Sequence, residues 1–205
     1  MQKLTEDFFL RDTVEVAREL LGRYIVRNIA DKTLICRITE TEAYIGAIDK
    51  ACHAYGGRRT TRTRTLYAAP GTTYVYQIYG MYHCLNFVTE PEGTASAVLI
   101  RGGVPVYNED RIAQYRFGRN YAELSRAQKK NFLNGPGKFC KGLSVDKHLN
   151  SLSCGDNALF LADEIPEFSL ARRADDLPYH TGKRIGIDYA EEAVDFPWRF
   201  WITEE

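Results

Sequence analysis

A chain of 205 residues with 44% hydrophobic content can bury a full core, and its length fits a single domain spanning residues 1–205. The formal charge is zero, which excludes the strongly unbalanced charge of a chain drawn in bulk to nucleic acid or membrane, and no apolar run approaches the ~20 residues of a membrane span. Cys36, Cys52, Cys84, Cys140 and Cys154 are odd in number and contain no C-x-x-C pair, which argues against both a disulfide framework and a zinc ribbon.

The chain starts MQKLTEDFFLRD, with acids where a signal peptide would carry a basic stretch and then an apolar one. A soluble, intracellular, cytoplasmic and non-secreted protein is therefore expected. Asp12 or Thr13 can cap a helix through VEVARELL, with Val14, Ala17, Leu20 and Leu21 on one face and Gly22 as its stop. YIVRNI and TLICRITETEAYI then read as strands around an Ala30-Asp31-Lys32 turn, and alternation in the second places Ile38, Glu40, Glu42 and Tyr44 on one face. Gly56-Gly57 and the polar run after it form a loop, and Pro70-Gly71 is a turn. Strands TTYVYQI and YHCLNFV flank Tyr79-Gly80-Met81, a tight reversal in which Gly80 supplies positive φ and Tyr79 stands at the tip. A strand SAVLIRG follows the Pro91-Glu92-Gly93 turn. Residues 107 to 133 read as two helical pieces broken near Gly118, and Gly135-Pro136-Gly137 precedes a short helix KFCKGL. Short strands ALFLA and RIGIDY come next, and PWRFWI closes the chain. The fold class is a mixed α/β single domain with a curved, mostly antiparallel sheet and surrounding helices.

Charge is segregated even though it sums to zero. Residues 51 to 89 hold no Asp or Glu, yet include Arg58, Arg59, Arg62, Arg64 and six of the thirteen tyrosines, while acids outnumber Lys and Arg roughly two to one from Asp146 onward. Glu42 beside Tyr44 reads either as a general base against an aromatic wall or as a solvated, ion-paired strand carboxylate. The arginine run is either a solvated loop or a phosphate-contacting surface. The pairs Cys52-His53 and His83-Cys84 fit no standard zinc spacing, so no metal is expected.

Several long strings in fixed order settle which of these readings to carry: TETEAYIG, ACHAYGGRRTTRTR, PGTTYVYQIYGMYHCLN, AVLIR and NGPGKFCKGL. Together they resemble the alkyladenine (3-methyladenine) DNA glycosylase family, and the likeness runs from Phe8-Phe9 to PWRFW. It implies a fold like the open barrel of the formyltransferase C-terminal domain. It also implies a monofunctional enzyme that flips alkylated purines such as 3-methyladenine and 7-methylguanine out of DNA and hydrolyses the glycosidic bond; some members also take hypoxanthine or ethenoadenine. By the resemblance, Glu42 takes the position of the water-activating base and Arg101 that of the arginine near the water and the DNA backbone. Tyr44, His53 and Tyr76 take the pocket positions, Asn86 that of the gate against guanine, and Tyr79 that of the intercalated residue. Tyr82 and Met81 would buttress Tyr79, and Arg58, Arg59, Arg62, Arg64 and Lys138 would contact DNA. No cofactor is implied. The partner is damaged double-stranded DNA bound by a monomer, in the nucleoid of a bacterium or the nucleus of a eukaryote. No lysine stands in the pocket motifs, so lyase chemistry through a Schiff base is not expected.

Overall fold

The chain enters through β1 (Gln2–Lys3) and two short helices, α1 (Glu6–Phe9) and α2 (Thr13–Glu19), in a computed structural model that describes residues 2–168, 170 and 178–203. The Asp12 carboxylate accepts the Glu15 N–H and caps α2. β2 (Tyr24–Ile29) and β3 (Lys32–Tyr44) pair antiparallel with Ile29 opposite Lys32, and Ala30 turns the chain with φ of 51°. After a stretch of short 3-10 turns, β4 (Thr73–Ile78) and β5 (Tyr82–Thr89) form a hairpin, followed by the long β6 (Ser96–Tyr107). Three helices follow, α3 (Glu109–Phe117), α4 (Arg126–Lys130) and α5 (Pro136–Gly142), then β7 (Leu159–Glu164), β8 (His180–Gly182) and β9 (Arg199–Trp201).

All strand pairs are antiparallel, in the order β1-β7-β2-β3-β6-β5-β4. β2 pairs with the first half of β3, and β9 takes over that edge beside Glu40, Thr41 and Glu42. One long strand thus carries two partners in succession, which curls the sheet into a half-barrel. The expected mixed α/β architecture with a curved antiparallel sheet is borne out. Among the described residues, no helix is long and apolar enough to cross a membrane.

Three details differ from the sequence reading. Ile38 does not share a face with Glu40, Glu42 and Tyr44: the register slips between Ile38 and Glu40, where Thr39 is an extra residue, and Ile38 joins the core cluster. α5 begins at Pro136, because proline suits the first helical position, where no N–H partner is needed. RIGIDY is irregular, since Gly186 takes φ of 78°, outside the strand region, and the Ile185 N–H is committed to a side chain.

The two faces of the curled sheet have separate tasks. Ile25, Leu34, Leu85, Phe87, Val98 and Ile100 pack with Val16 of α2, Leu20 just past its end, Ile112 of α3 and Phe139 of α5. A second cluster on Tyr74, Val88 and Ala97 includes Cys52, Ala54 and Leu66 from the 45–72 stretch and partly buried Tyr44, Tyr67 and Tyr76.

Candidate functional site

Strand register assembles the site. Glu42 on β3 lies opposite Leu99 on β6, Leu99 opposite Asn86 on β5, and Asn86 opposite Tyr74 on β4, so one row crosses four strands. The next row along, Ala43, Val98, Phe87 and Thr73, is buried on the opposite side, as the two-residue period of a strand requires. Tyr44, Leu99, Asn86, Tyr74 and Tyr76 line a cavity of about 510 Å³, closed on further sides by the 45–72 stretch, α5 and residues 185–189.

Glu42 lies beneath this lining and is 0% exposed. Its Oε2 accepts the Tyr44 hydroxyl at 2.7 Å, its Oε1 accepts the Ile185 N–H at 2.8 Å, and Arg101 Nη1 lies 3.3 Å from Oε1. Arg101 Nε also donates to Glu40 at 3.0 Å, and Arg199 pairs with Glu40 at the same distance. Two carboxylates and two guanidinium groups therefore form one neutral network. Burial pushes the Glu42 carboxyl above the usual carboxylate range, opposed by the Arg101 charge and the hydrogen bonds from Ile185 and Tyr44. The largest cause is the loss of water around the carboxylate.

The aromatic wall is tied together by His53. Its Nδ1 lies 2.9 Å from the Tyr74 hydroxyl, its ring meets Tyr76 edge-on at 4.7 Å, and Arg62 Nη2 lies 3.4 Å from Nε2. A guanidinium cannot accept, so Nε2 is the acceptor and Nδ1–H donates to Tyr74. Burial and then the Arg62 charge push the His53 pKa down to about 4, so the imidazole is neutral at physiological pH. The Arg62 guanidinium carbon lies 5.1 Å from the Tyr76 ring centroid. Asn86 is 4% exposed and its Nδ2 donates to the Tyr74 carbonyl at 3.0 Å, so it is fixed within the wall.

The hairpin tip stands at the mouth. Tyr79 and Gly80 both have positive φ, 49° and 71°, so the reversal places not only the glycine but also the tyrosine in the left-handed region. Tyr79 is 88% exposed and Met81 70%. Tyr82, paired with Ile78 next to the reversal, is seated against α5: a Cβ on Gly137 would lie 2.9 Å from the Tyr82 Cβ, so only glycine allows this approach.

Of the residues singled out from the sequence, Tyr44, His53, Tyr76, Tyr79, Tyr82, Asn86, Arg62, Arg101 and Lys138 line this one cavity, and Glu42 lies directly beneath it. Arg58, Arg59 and Arg64 are exposed outside it, and Arg59 stacks on Tyr67 at 3.9 Å. Met81 borders a separate cleft beside Tyr82 and Lys141. Lys138, expected among the DNA contacts and outside the pocket motifs, is brought to the lining by α5, with its Nζ donating to Asn131 and Asn134. The lining also includes Tyr74, Cys84, Arg116, Ile185, Gly186, Ile187 and Tyr189, none of them assigned to the site beforehand. Tyr74 was legible as a neighbour of Tyr76 on one strand face; the others have no local signal. Among the described residues, the lining carries four cations, Arg62, Arg101, Arg116 and Lys138, and no acid.

The cavity is aromatic, acid-free among its described lining residues and cation-bearing, and it lies over a buried carboxylate. A model of the methylpurine-DNA glycosylase family matches residues 7–205, and the chain belongs to that family. It is similar to provisionally named 3-methyladenine DNA glycosylases. One, from Clostridium perfringens strain 13, is 53% identical over 98% of this chain and 96% of the relative. Others come from Desulfitobacterium hafniense (45% identical, covering 100% of this chain and 97% of the relative) and Clostridioides difficile (44%, covering 97% and 100%).

Proposed function

We propose that the protein is a monofunctional DNA glycosylase of base excision repair, acting on damaged purines in duplex DNA as an intracellular monomer. The observation that carries this reading is the Glu42 carboxylate held under an acid-free aromatic cavity with four cations in its lining.

A base inside a duplex hides its glycosidic bond, and extruding it costs a few kcal/mol, least for damaged bases that pair poorly. Tyr79 fills the gap left in the duplex, where base–aromatic stacking is worth ~1–3 kcal/mol. Met81 and Tyr82 support the hairpin, and Arg58, Arg59, Arg62, Arg64 and Lys138 contact phosphates, supported by their exposure or their place at the cavity. The extruded base lies against Tyr44, His53 and Tyr76. Cationic 3-methyladenine and 7-methylguanine gain from the aromatic faces, by up to about 2 kcal/mol when desolvated. Neutral hypoxanthine and ethenoadenine gain nothing from that attraction and are selected by fit. Asn86, pinned by Tyr74, excludes the exocyclic amino group of guanine.

As the bond breaks, the sugar becomes oxocarbenium-like, and Glu42 both stabilises that charge and takes a proton from the attacking water. Oε2 accepts from Tyr44 alone and has a lone pair left for the attacking water, whereas Oε1 takes both the Ile185 N–H and Arg101. Arg101 holds Glu42 and faces the cavity, where it meets the DNA backbone. Lys138 already donates to two asparagine oxygens, so we assign it phosphate contact and no Schiff-base chemistry. We place the curled sheet beside the open barrel of the formyltransferase C-terminal domain, on the strength of its antiparallel path.

The full burial of Glu42 favours a second reading, a binding module in which this network is structural. Incubating the protein with duplexes carrying hypoxanthine or 7-methylguanine, then cleaving abasic sites with alkali, separates the two. Strand cleavage that requires the alkali step, with no adduct trapped by borohydride, is expected; intact strands despite tight binding would establish the binding module.

A further inference from the structure

Arg184 is a 4% exposed charge in the irregular segment 183–190, and no role above uses it. Its Nη1 donates to the Ala43 carbonyl at 2.8 Å and to Asp49 Oδ2 at 2.5 Å, and its Nη2 donates to Asp49 Oδ1 at 2.8 Å and to the Ala193 carbonyl at 3.2 Å. The guanidinium carbon lies 4.7 Å from the Tyr44 ring centroid and 5.0 Å from that of Trp198. Asp49, fully buried, also accepts the Ile45 and Ala51 N–H groups. One fork therefore joins the end of β3, the 45–51 turn and the turn over 191–195. Buried ion pairs of this kind are poor sources of stability, because desolvation offsets their attraction and apolar groups of equal volume often serve as well. A role in geometry explains the pair better.

We propose that the Arg184–Asp49 clamp positions Glu42: it fixes the irregular segment so that the adjoining Ile185 N–H meets Oε1, and it backs the Tyr44 ring whose hydroxyl meets Oε2. This rests on the reading of Glu42 as the water-activating base. Arg184 does not itself line the cavity or bond the carboxylate; it acts through its chain neighbour Ile185 and through Tyr44, both of which do line the cavity. The groups facing Glu42 are Arg101 from β6, Cys84 from β5, Glu40 and Tyr44 from its own strand, and the Ile185 N–H, with Arg199 of β9 paired to Glu40. Of these, the Ile185 and Tyr44 donors are the ones that depend on the clamp. Losing them leaves burial less opposed, which drives the carboxyl pKa further up.

The test uses the full chain with Arg184→Lys and Asp49→Asn, and Glu42→Gln alongside. Saturated single-turnover excision of 7-methylguanine is followed from about pH 5 to 8, with affinity for an abasic-analogue duplex and the thermal midpoint measured in parallel. Both clamp variants are expected to slow excision on the order of tenfold to a hundredfold, while affinity changes by no more than about twofold. Both should also move the acid limb of the rate profile to higher pH. A lowered midpoint with an unshifted limb and an unchanged rate would make the clamp merely structural and overturn the inference. Should Arg184→Lys fail to fold, Asp49→Asn, which keeps side-chain volume and one acceptor, decides alone. Full activity of Glu42→Gln would instead defeat the reading of Glu42, a result distinct from either outcome for the clamp.

Discussion

Tyr74 and Tyr79 sit on one hairpin, yet the first is 3% exposed and the second 88%. Tyr74 stands in the row that runs to Glu42, fixed by register with Asn86 and bonded to His53. Tyr79 sits in the left-handed region, which costs a non-glycine residue on the order of 1 kcal/mol, and its ring gains little from packing. The same residue type thus stands once in a packed wall and once on an exposed tip. The proposed function assigns chemistry to the wall and duplex engagement to the tip, and substitutions should separate the two.

The largest effect should come from the wall. Glu42→Gln keeps shape and should retain affinity for lesion DNA while single-turnover excision falls by about 10²–10⁴-fold, the range for a lost general base. Near-normal excision would erase the distinction between the two regions. Tyr79→Ala should do the converse: affinity for damaged duplex drops by about 1–3 kcal/mol, and the 2-aminopurine fluorescence rise that reports flipping is lost. An unchanged fluorescence signal would remove the tip from the mechanism. Asn86→Gly should raise excision of undamaged guanine by roughly tenfold, the lower end of what one pocket group discriminates; identical guanine loss in variant and parent would show that the wall does not select there.

The smallest expected effect concerns stability. His53 is held near 4 when folded against an ordinary value of 6.5, so the unfolded chain takes up the proton first. Stability should therefore fall as pH drops from about 6.5 toward 4, and His53→Gln should flatten that slope in urea titrations. A parent and variant that lose stability in parallel would show that the wall is not built around a neutral imidazole.

Local signals in the sequence reached as far as single elements. The β2–β3 turn, the cap at Asp12 and the tip at Tyr79-Gly80 were each written in a few adjacent residues. The row from Glu42 to Tyr74 was not, because it depends on pairings among four strands with Leu99 and Asn86 between them. RIGIDY misled for a physical reason: Ile185, Ile187 and Tyr189 alternate as a strand would, yet Ile185 and Tyr189 are 49% and 67% exposed while Arg184 is buried. A buried arginine partnered by Asp49, 135 positions earlier, leaves no local pattern. Ile38 was misplaced because a bulge at Thr39 shifts parity without any residue that announces it. The names of the site residues came from the order of long motifs, and their arrangement came only with the fold.

Excision of 7-methylguanine as a function of pH tests the role of Glu42 most directly, since a base already cationic needs no protonation to leave and the rate reports the carboxylate alone. Burial raises that carboxyl, so the protonated, inactive form persists to higher pH than for an ordinary glutamate. The saturated single-turnover rate should rise with pH through an apparent pKa above the reference value of about 4.3 and level off toward neutrality, and the limb should vanish in Glu42→Gln. A rate that is flat with pH in the parent, or a limb that survives unchanged in the variant, would contradict the assignment.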